Sequence, residues 1–141
     1  MTATELRIGN YVTIDNPKYH PNVKGRTLVV LSVQSWREEA SVSLMHIKQE
    51  DNYVIPSLGQ LIDFVKPIEL NEDWLLKFGF EGEFLDYSLG KLNVCLKDPI
   101  GVYKRGRTYY NSWCILEKQP EYVHQLQNLF FALTGEELLI K

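Results

Sequence analysis

The sequence is poor in cysteine and has no long apolar run. Its only two cysteines, Cys95 and Cys114, lie far apart without a C-x-x-C spacing or a nearby histidine pair. This argues against a disulfide framework and a zinc site, so we expect two free, buried thiols. The most apolar run, 28–33, is far shorter than the roughly 20 residues that span a bilayer. With no segment resembling a signal peptide, the expectation is a cytoplasmic protein that does not contact membranes.

The chain also lacks a strong charge of one sign. It has 15 Lys and Arg against 18 Asp and Glu, for a net charge of −3, so no overall positive field would recruit nucleic acid. Hydrophobic residues make up 45% and charged residues 23%, as in ordinary folded domains. A chain of 141 residues has room for one domain or two small lobes.

The first half has the polar and apolar alternation of β-strands. Prolines, asparagines and glycines separate the alternating segments. One segment, 27–36, is apolar on both faces at one end, which suits a strand in the wall of a small closed barrel. The strands predicted in this half are 10–14, 27–36, 41–47 and 63–66.

The opening of the chain resembles that of SH3-like and KOW-type small barrels. These folds begin with a G-x-x-V strand and return through a glycine into a valine-rich strand. The matching segments are Gly9-Asn-Tyr-Val-Thr-Ile14 and Gly25-Arg-Thr-Leu-Val-Val-Leu-Ser-Val33. The resemblance implies an N-terminal SH3-like β-barrel over residues 1–67, a scaffold that mostly binds peptides or nucleic acid.

The second half begins and ends with a predicted helix. Asn71 is a suitable N-cap for a helix over 71–79, and Gly79 suits its C-terminal end. A helix over 120–134 follows from apolar residues spaced three and four apart, with Leu126 facing inward and Gly135 after it. Strands are predicted between the helices over 84–88, 91–97, 102–104 and 107–116, and the tail 138–140 is a candidate edge strand.

These elements predict an α+β chain. The SH3-like lobe is followed by a helix–antiparallel meander–helix lobe over 68–141. That second lobe contains the helix over 71–79, strands within 84–116, and the helix over 120–134.

Three blocks of sequence carry a second resemblance. They are Leu6-Arg-Ile-Gly-Asn10, Pro67-Ile-Glu-Leu-Asn-Glu-Asp-Trp-Leu-Leu-Lys-Phe-Gly-Phe80 and Tyr122-Val-His-Gln-Leu-Gln-Asn-Leu-Phe-Phe-Ala-Leu-Thr-Gly-Glu-Glu-Leu138. In this order they resemble a widespread group of small proteins encoded by gut Bacteroidetes, their phages and integrated elements. The resemblance implies a phage or mobile-element protein and brings no activity, cofactor or catalytic residue.

Residues that could support catalysis have simpler structural interpretations. The three histidines have no cysteine, aspartate or second histidine at a metal-ligand spacing. Glu69, Glu72 and Asp73 are explained by capping of the helix that begins after Asn71. No nucleophile, base and orienting group can be named. We therefore expect a protein that is not an enzyme, with no cofactor and no metal.

Two sets of side chains on the predicted helices could contact a partner. His124, Gln125 and Asn128 lie outside the apolar stripe of the last helix, and a solvated face is a simpler interpretation than a partner-binding one. Trp74 lies beside leucine on the first helix and is interpreted as a core residue, not a stacking platform.

A basic and aromatic segment is the most site-like feature of the sequence. Arg105 and Gly106 are predicted to form the turn of a hairpin, which would place Lys104 near Arg107. Cations and tyrosines together can hold single-stranded nucleic acid, although cationic hairpin ends also serve solubility. The candidate binding residues are Tyr103, Lys104, Arg105, Arg107, Tyr109 and Tyr110.

The leading functional hypothesis is therefore a non-enzymatic binding or assembly protein that engages a protein partner. The alternative is an accessory factor that binds single-stranded nucleic acid through the 103–110 hairpin.

Overall fold

The protein is an α+β chain, as the sequence predicts, and its described residues form two antiparallel five-stranded sheets. Its fold is seen in a computed structural model. The model describes residues 1–15, 25–36, 39–46, 54–55, 61–84, 86–90, 92–96, 101–104, 113–114 and 119–141. The described part of the chain separates into two compact units.

Unit 1 comprises Met1–Ile68 and Val123–Glu137. Its sheet has the order β4-β3-β2-β1-β5. Two 3₁₀ helices, Ala3–Glu5 and Leu61–Asp63, lie before β1 and before β5. The strands are β1 (Tyr11–Ile14), β2 (Leu28–Trp36), β3 (Glu39–His46), β4 (Val54–Ile55) and β5 (Val65–Lys66).

Unit 2 comprises Glu69–Tyr122 and Leu138–Lys141. Its sheet is a meander of the order β10-β9-β8-β7-β6, and helix α1 (Glu72–Lys77) precedes the sheet in the chain. The strands are β6 (Glu81–Glu83), β7 (Asp86–Leu89), β8 (Leu92–Cys95), β9 (Gly101–Lys104) and β10 (Trp113–Cys114). The second helix of the chain, α2 (Val123–Thr134), belongs to unit 1.

The core of unit 1 lies on one face of the β1–β2–β3 sheet. Leu28 and Val30 on β2 are fully buried, and the register of β2 with β3 shifts between Val30 and Ser32. The sheet is open in the described residues, where β4 and β5 are its edges, and no closed barrel is found there. The buried cluster consists of Leu6, Val12, Ile14, Leu28, Val30, Val42, Leu44 and Val65.

Helix α1 has the termini that the sequence predicts. The Asn71 side-chain oxygen accepts a hydrogen bond from the Trp74 backbone N–H at 3.1 Å, which satisfies a donor that a helix N-terminus leaves unpaired. After the helix, Gly79 takes a φ of +82°, a conformation that glycine adopts without steric cost. Trp74 is buried beside Phe78, with ring centroids 5.6 Å apart, and this confirms its assignment to the core.

The C-terminal tail packs in unit 2 without forming a strand. Leu138 is buried, and the Lys141 backbone N–H donates to the Lys77 carbonyl at 2.9 Å. The expected edge strand at 138–140 is therefore wrong, because the tail bonds to the end of α1 and not to a sheet.

Helix α2 belongs to unit 1, whereas the predicted division of the chain placed this helix in the second lobe. The chain first passes between the units at Ile68–Glu69, next to the predicted boundary, but it returns to unit 1 for α2. The Val123 N–H donates to the Ile68 carbonyl at 2.9 Å, and the helix contacts β1. The assignment failed because periodicity identifies a helix but not the element on which it packs.

The cysteines differ in part from the expected buried pair. Cys95, on β8, is a free thiol as expected but is only half-buried. Cys114 lies in β10, and its side chain is outside the described residues.

Leu126 tests the packing of α2, because its side chain is fully buried. Leu126→Ala should lower the free energy of unfolding by roughly 2–5 kcal/mol, since a buried leucine loses its contacts and leaves a cavity. Chemical denaturation measures the change. Leu133→Ala on the same helix is the control. The apolar periodicity would place Leu133 on the inward face, but its side chain is 49% exposed. Its effect should stay within about 0.5 kcal/mol, and equal effects at the two positions would contradict the packing.

Candidate functional site

The basic segment predicted as a binding site is described only at its first residues. Tyr103 and Lys104 lie in β9, where the cross-strand partner of Lys104 is Trp113. The predicted proximity of Lys104 to Arg107 stays a prediction, because Arg107 lies outside the described residues. The other candidate residues, Arg105, Arg107, Tyr109 and Tyr110, lie outside the described part of the chain.

The polar side chains of α2 are not a solvated face. His124 and Gln127 are buried, and Asn128 is half-buried and hydrogen-bonded to the start of the chain. The solvated-face interpretation is therefore wrong for His124, and Gln125, like Asn128, is half-buried. Buried polar groups are costly unless they are hydrogen-bonded, so their partners define what this face of the helix does.

The partners of α2 belong to a tight turn over residues 7–10, just before β1. The Asn10 backbone N–H donates to the Arg7 carbonyl at 3.1 Å, and the Asn10 side-chain oxygen accepts from the Arg7 N–H at 2.7 Å. Gly9 has a φ of +89°, which the third residue of a type II turn requires. The turn thus closes on itself through both the backbone and a side chain.

Two amide side chains of α2 hold the turn from outside. The Gln127 side-chain oxygen accepts from the Tyr11 backbone N–H at 2.8 Å, and its amide donates to the Gly9 carbonyl at 3.1 Å. The Asn128 amide donates to the Glu5 carbonyl at 2.8 Å, while its oxygen accepts from the Asn10 amide at 2.9 Å. We call Asn10, Gln127 and Asn128 the amide clamp.

The amide clamp fixes an apolar side chain at the surface. Ile8 is the second residue of the turn and is 64% exposed. Beside it in the chain, the Arg7 guanidinium carbon lies 3.7 Å from the centroid of the Phe131 ring, and the guanidinium also pairs with Glu137 at 2.9 Å. Phe131 is itself an exposed side chain. We call Arg7, Ile8 and Phe131 the Ile8 patch.

The Ile8 patch combines two exposed apolar side chains, Ile8 and Phe131, with the Arg7 guanidinium. Arginine is enriched among the residues that contribute most to protein interfaces, and groups that are already ordered lose less conformational entropy on binding. The ion pair with Glu137 is exposed on both sides, so it orients the guanidinium more than it stabilises the fold.

The amide clamp was missed from the sequence, although a signal exists. Val123, Leu126, Gln127 and Phe130 follow the spacing of one helix face, and all four are buried. A glutamine in an apolar stripe indicates a buried, hydrogen-bonded amide. The residues that it contacts lie about a hundred positions away, however, and no local pattern identifies them.

His124 is also buried on α2. Its pKa lies below the ordinary value of 6.5 because burial disfavours the charged imidazolium; the Glu5 carboxylate opposes this effect, and the N-terminal ammonium adds to it. We therefore expect the neutral imidazole in the folded protein near pH 7.

The carboxylates of the first helical turn have a structural role. Asn71 caps α1, and Glu72 accepts a hydrogen bond from the buried Tyr87 hydroxyl. This bond, together with burial, raises the pKa of Tyr87 to about 12.

Within the described residues no group of three His, Cys, Asp or Glu side chains could hold a metal ion, and no helix there is long and apolar enough to cross a membrane.

Comparison of the chain with protein-family models, with curated proteins and with solved structures returns no match.

Replacing Gln127 tests the amide clamp directly. Gln127→Leu keeps the apolar stripe but removes the hydrogen-bond partner of the Tyr11 N–H and of the Gly9 carbonyl. Each buried group left unpaired should lower the free energy of unfolding by about 1–3 kcal/mol. Chemical denaturation should report this loss. Glu136→Leu introduces the same side chain at an exposed position and should change stability by no more than about 0.5 kcal/mol. A comparably small effect of Gln127→Leu would refute the role given to Gln127.

The buried imidazole predicts a pH dependence. Below about pH 6.5 the unfolded chain binds a proton at His124 that the folded protein binds only at lower pH, so acid lowers the free energy of unfolding. His124→Gln removes this proton. As the pH falls from about 7.5 to about 5, the free energy of unfolding of the wild type should therefore decrease relative to that of the variant. A difference that does not change with pH would contradict burial of the neutral ring.

Proposed function

We propose that this chain is a non-enzymatic binding or assembly protein of phage or mobile-element type, and that it engages a protein partner through the Ile8 patch. The observation that carries the proposal is the position of Ile8. It is 64% exposed on a turn held through Asn10, Gln127 and Asn128.

The turn that carries Ile8 is preorganised for binding. Ordering three polar side chains to fix one short turn, two of them buried, has a cost in desolvation and in side-chain entropy. The hydrogen bonds offset that cost, whereas Ile8, which is mostly exposed, contributes little buried area in return. A partner that covers Ile8 would bury its exposed apolar surface on binding. Little further conformational entropy would be lost, because the turn is already ordered.

The arrangement of unit 1 supports a binding scaffold. Its strand order is β4-β3-β2-β1-β5, and a 3₁₀ helix, Leu61–Asp63, precedes β5. This five-stranded arrangement is compatible with the SH3-like lobe that the sequence resemblance implies, and we include that lobe in the proposal. Such scaffolds serve mostly in binding.

Site-specific photocrosslinking in the producing cell tests the proposal. A photoreactive phenylalanine analogue at position 8 should crosslink a protein that the same analogue at position 139 does not. Leu139 is the matched control because it is an aliphatic residue of similar exposure, 55%, and it lies outside unit 1. The purified partner should then bind Ile8→Ser at least about tenfold more weakly than wild type, roughly the effect of losing one hot-spot residue.

Three results would contradict the proposal. They are the same crosslinked proteins at positions 8 and 139, no crosslink at position 8, or equal partner affinity for wild type and Ile8→Ser. Tight, salt-dependent binding of a labelled single-stranded oligonucleotide in place of a protein would favour the alternative through residues 103–110.

A further inference from the structure

Unit 2 has an exposed aromatic side chain where β6 turns into β7. Glu83 and Asp86 are cross-strand partners, and Phe84 is the first residue of the connection between them. Its side chain is 86% exposed and its φ is +52°. Glycine, asparagine or aspartate usually takes positive φ in such turns, because other residues are strained there. Phe84 therefore carries backbone strain and buries almost nothing in return.

The base of this hairpin is firmly fixed. Tyr87, paired with Gly82, is buried, and its hydroxyl donates a hydrogen bond to the Glu72 carboxylate. A Cβ atom at Gly82 would collide with the backbone of Asp86 and Tyr87, so the two strands approach closely. The Ser88 hydroxyl adds a hydrogen bond to the Glu81 carbonyl at 3.3 Å. Phe84 is thus held out from a rigid base.

The charged residues of the described hairpin strands are all acidic. Glu81 and Glu83 are exposed on β6, which is an edge strand of its sheet. Asp86, opposite Glu83, is exposed as well. The segment 81–89 contains no lysine or arginine. An apolar side chain at the end of an acidic hairpin is complementary to an apolar socket bordered by cations.

We propose that the β6–β7 hairpin docks into a protein partner whose surface has an apolar socket surrounded by lysine or arginine. Phe84 fills the socket, and Glu81 and Glu83 set the preference for basic surroundings. Binding is favoured because the socket buries an aromatic ring that the fold itself leaves exposed to water. The hairpin belongs to unit 2 and the Ile8 patch to unit 1, and this proposal does not depend on the function proposed for the patch.

Selection from a random-peptide library displayed on phage tests this proposal. Peptides selected on the wild-type protein should be enriched in lysine or arginine together with apolar residues. Their affinity should fall at least about tenfold for Phe84→Gly and for Phe84→Asn. Glu81→Gln with Glu83→Gln should weaken binding severalfold and reduce its dependence on salt concentration. Glu136→Gln, an exposed acid outside the hairpin, should leave binding unchanged.

The stability of the variants separates binding from folding. Glycine and asparagine accept a positive φ more readily than phenylalanine, so neither substitution should lower the melting temperature. Selected peptides without basic residues, or peptides that bind both Phe84 variants as tightly as wild type, would overturn the proposal. A melting temperature lowered in both variants would assign Phe84 to the fold. Self-association that Phe84→Gly abolishes would identify a second copy as the occupant and overturn the proposed basic partner.

Discussion

The hydrogen bonds of Gln127 are the interaction on which the start of the chain depends. The Tyr11 N–H and the Gly9 carbonyl lie beside a helix, where neither can pair within the sheet of unit 1. A single side chain with one acceptor and one donor satisfies both of them. The remaining amides extend this contact to Glu5 and Asn10. These side chains hold the turn against α2, and backbone hydrogen bonds from the Gly9 N–H to the Val30 carbonyl at 2.8 Å and from the Val30 N–H to the Asn10 carbonyl at 2.9 Å hold it to β2.

The turns that carry Ile8 and Phe84 reach positive φ in different ways. In unit 1 a glycine supplies it, so the turn is unstrained and the neighbouring Ile8 is free to face solvent. In unit 2 the exposed residue itself, Phe84, takes the positive φ. The same result, an apolar side chain held away from the core, is reached without strain in one unit and with strain in the other. Strain of this kind persists where the surrounding structure fixes it, as the buried Tyr87 does here.

Local features of the sequence were sufficient for much of the fold. Helix α1 is identified by its capping asparagine, and β2 and β8 by their alternation, because these signals involve residues close together in the chain. Strand β6 has no such signal, since Glu81, Gly82 and Glu83 include no apolar residue. The unit on which α2 packs was likewise beyond prediction from periodicity.

The candidate site was less predictable than the fold for the same reason. The amide clamp joins residues 5–11 to residues 127–128, a contact between distant parts of the chain. The position of Gln127 in an apolar stripe indicates that its amide is buried, but nothing in either segment identifies the partners. Only the three-dimensional structure places the sequence around Arg7 against the sequence around Gln127. The positive φ of Phe84 likewise has no signature in composition or spacing.

Amide hydrogen exchange at Tyr11 tests the amide clamp most directly. In the wild type this N–H, bonded to the Gln127 side chain, should exchange slowly, at a rate near that of the protected amides of the β2–β3 ladder. In Gln127→Leu its exchange should accelerate much more than that of the ladder amides. If Tyr11 exchanges quickly in the wild type, or if the substitution accelerates Tyr11 and the ladder equally, the turn is not held by Gln127 and the account is wrong.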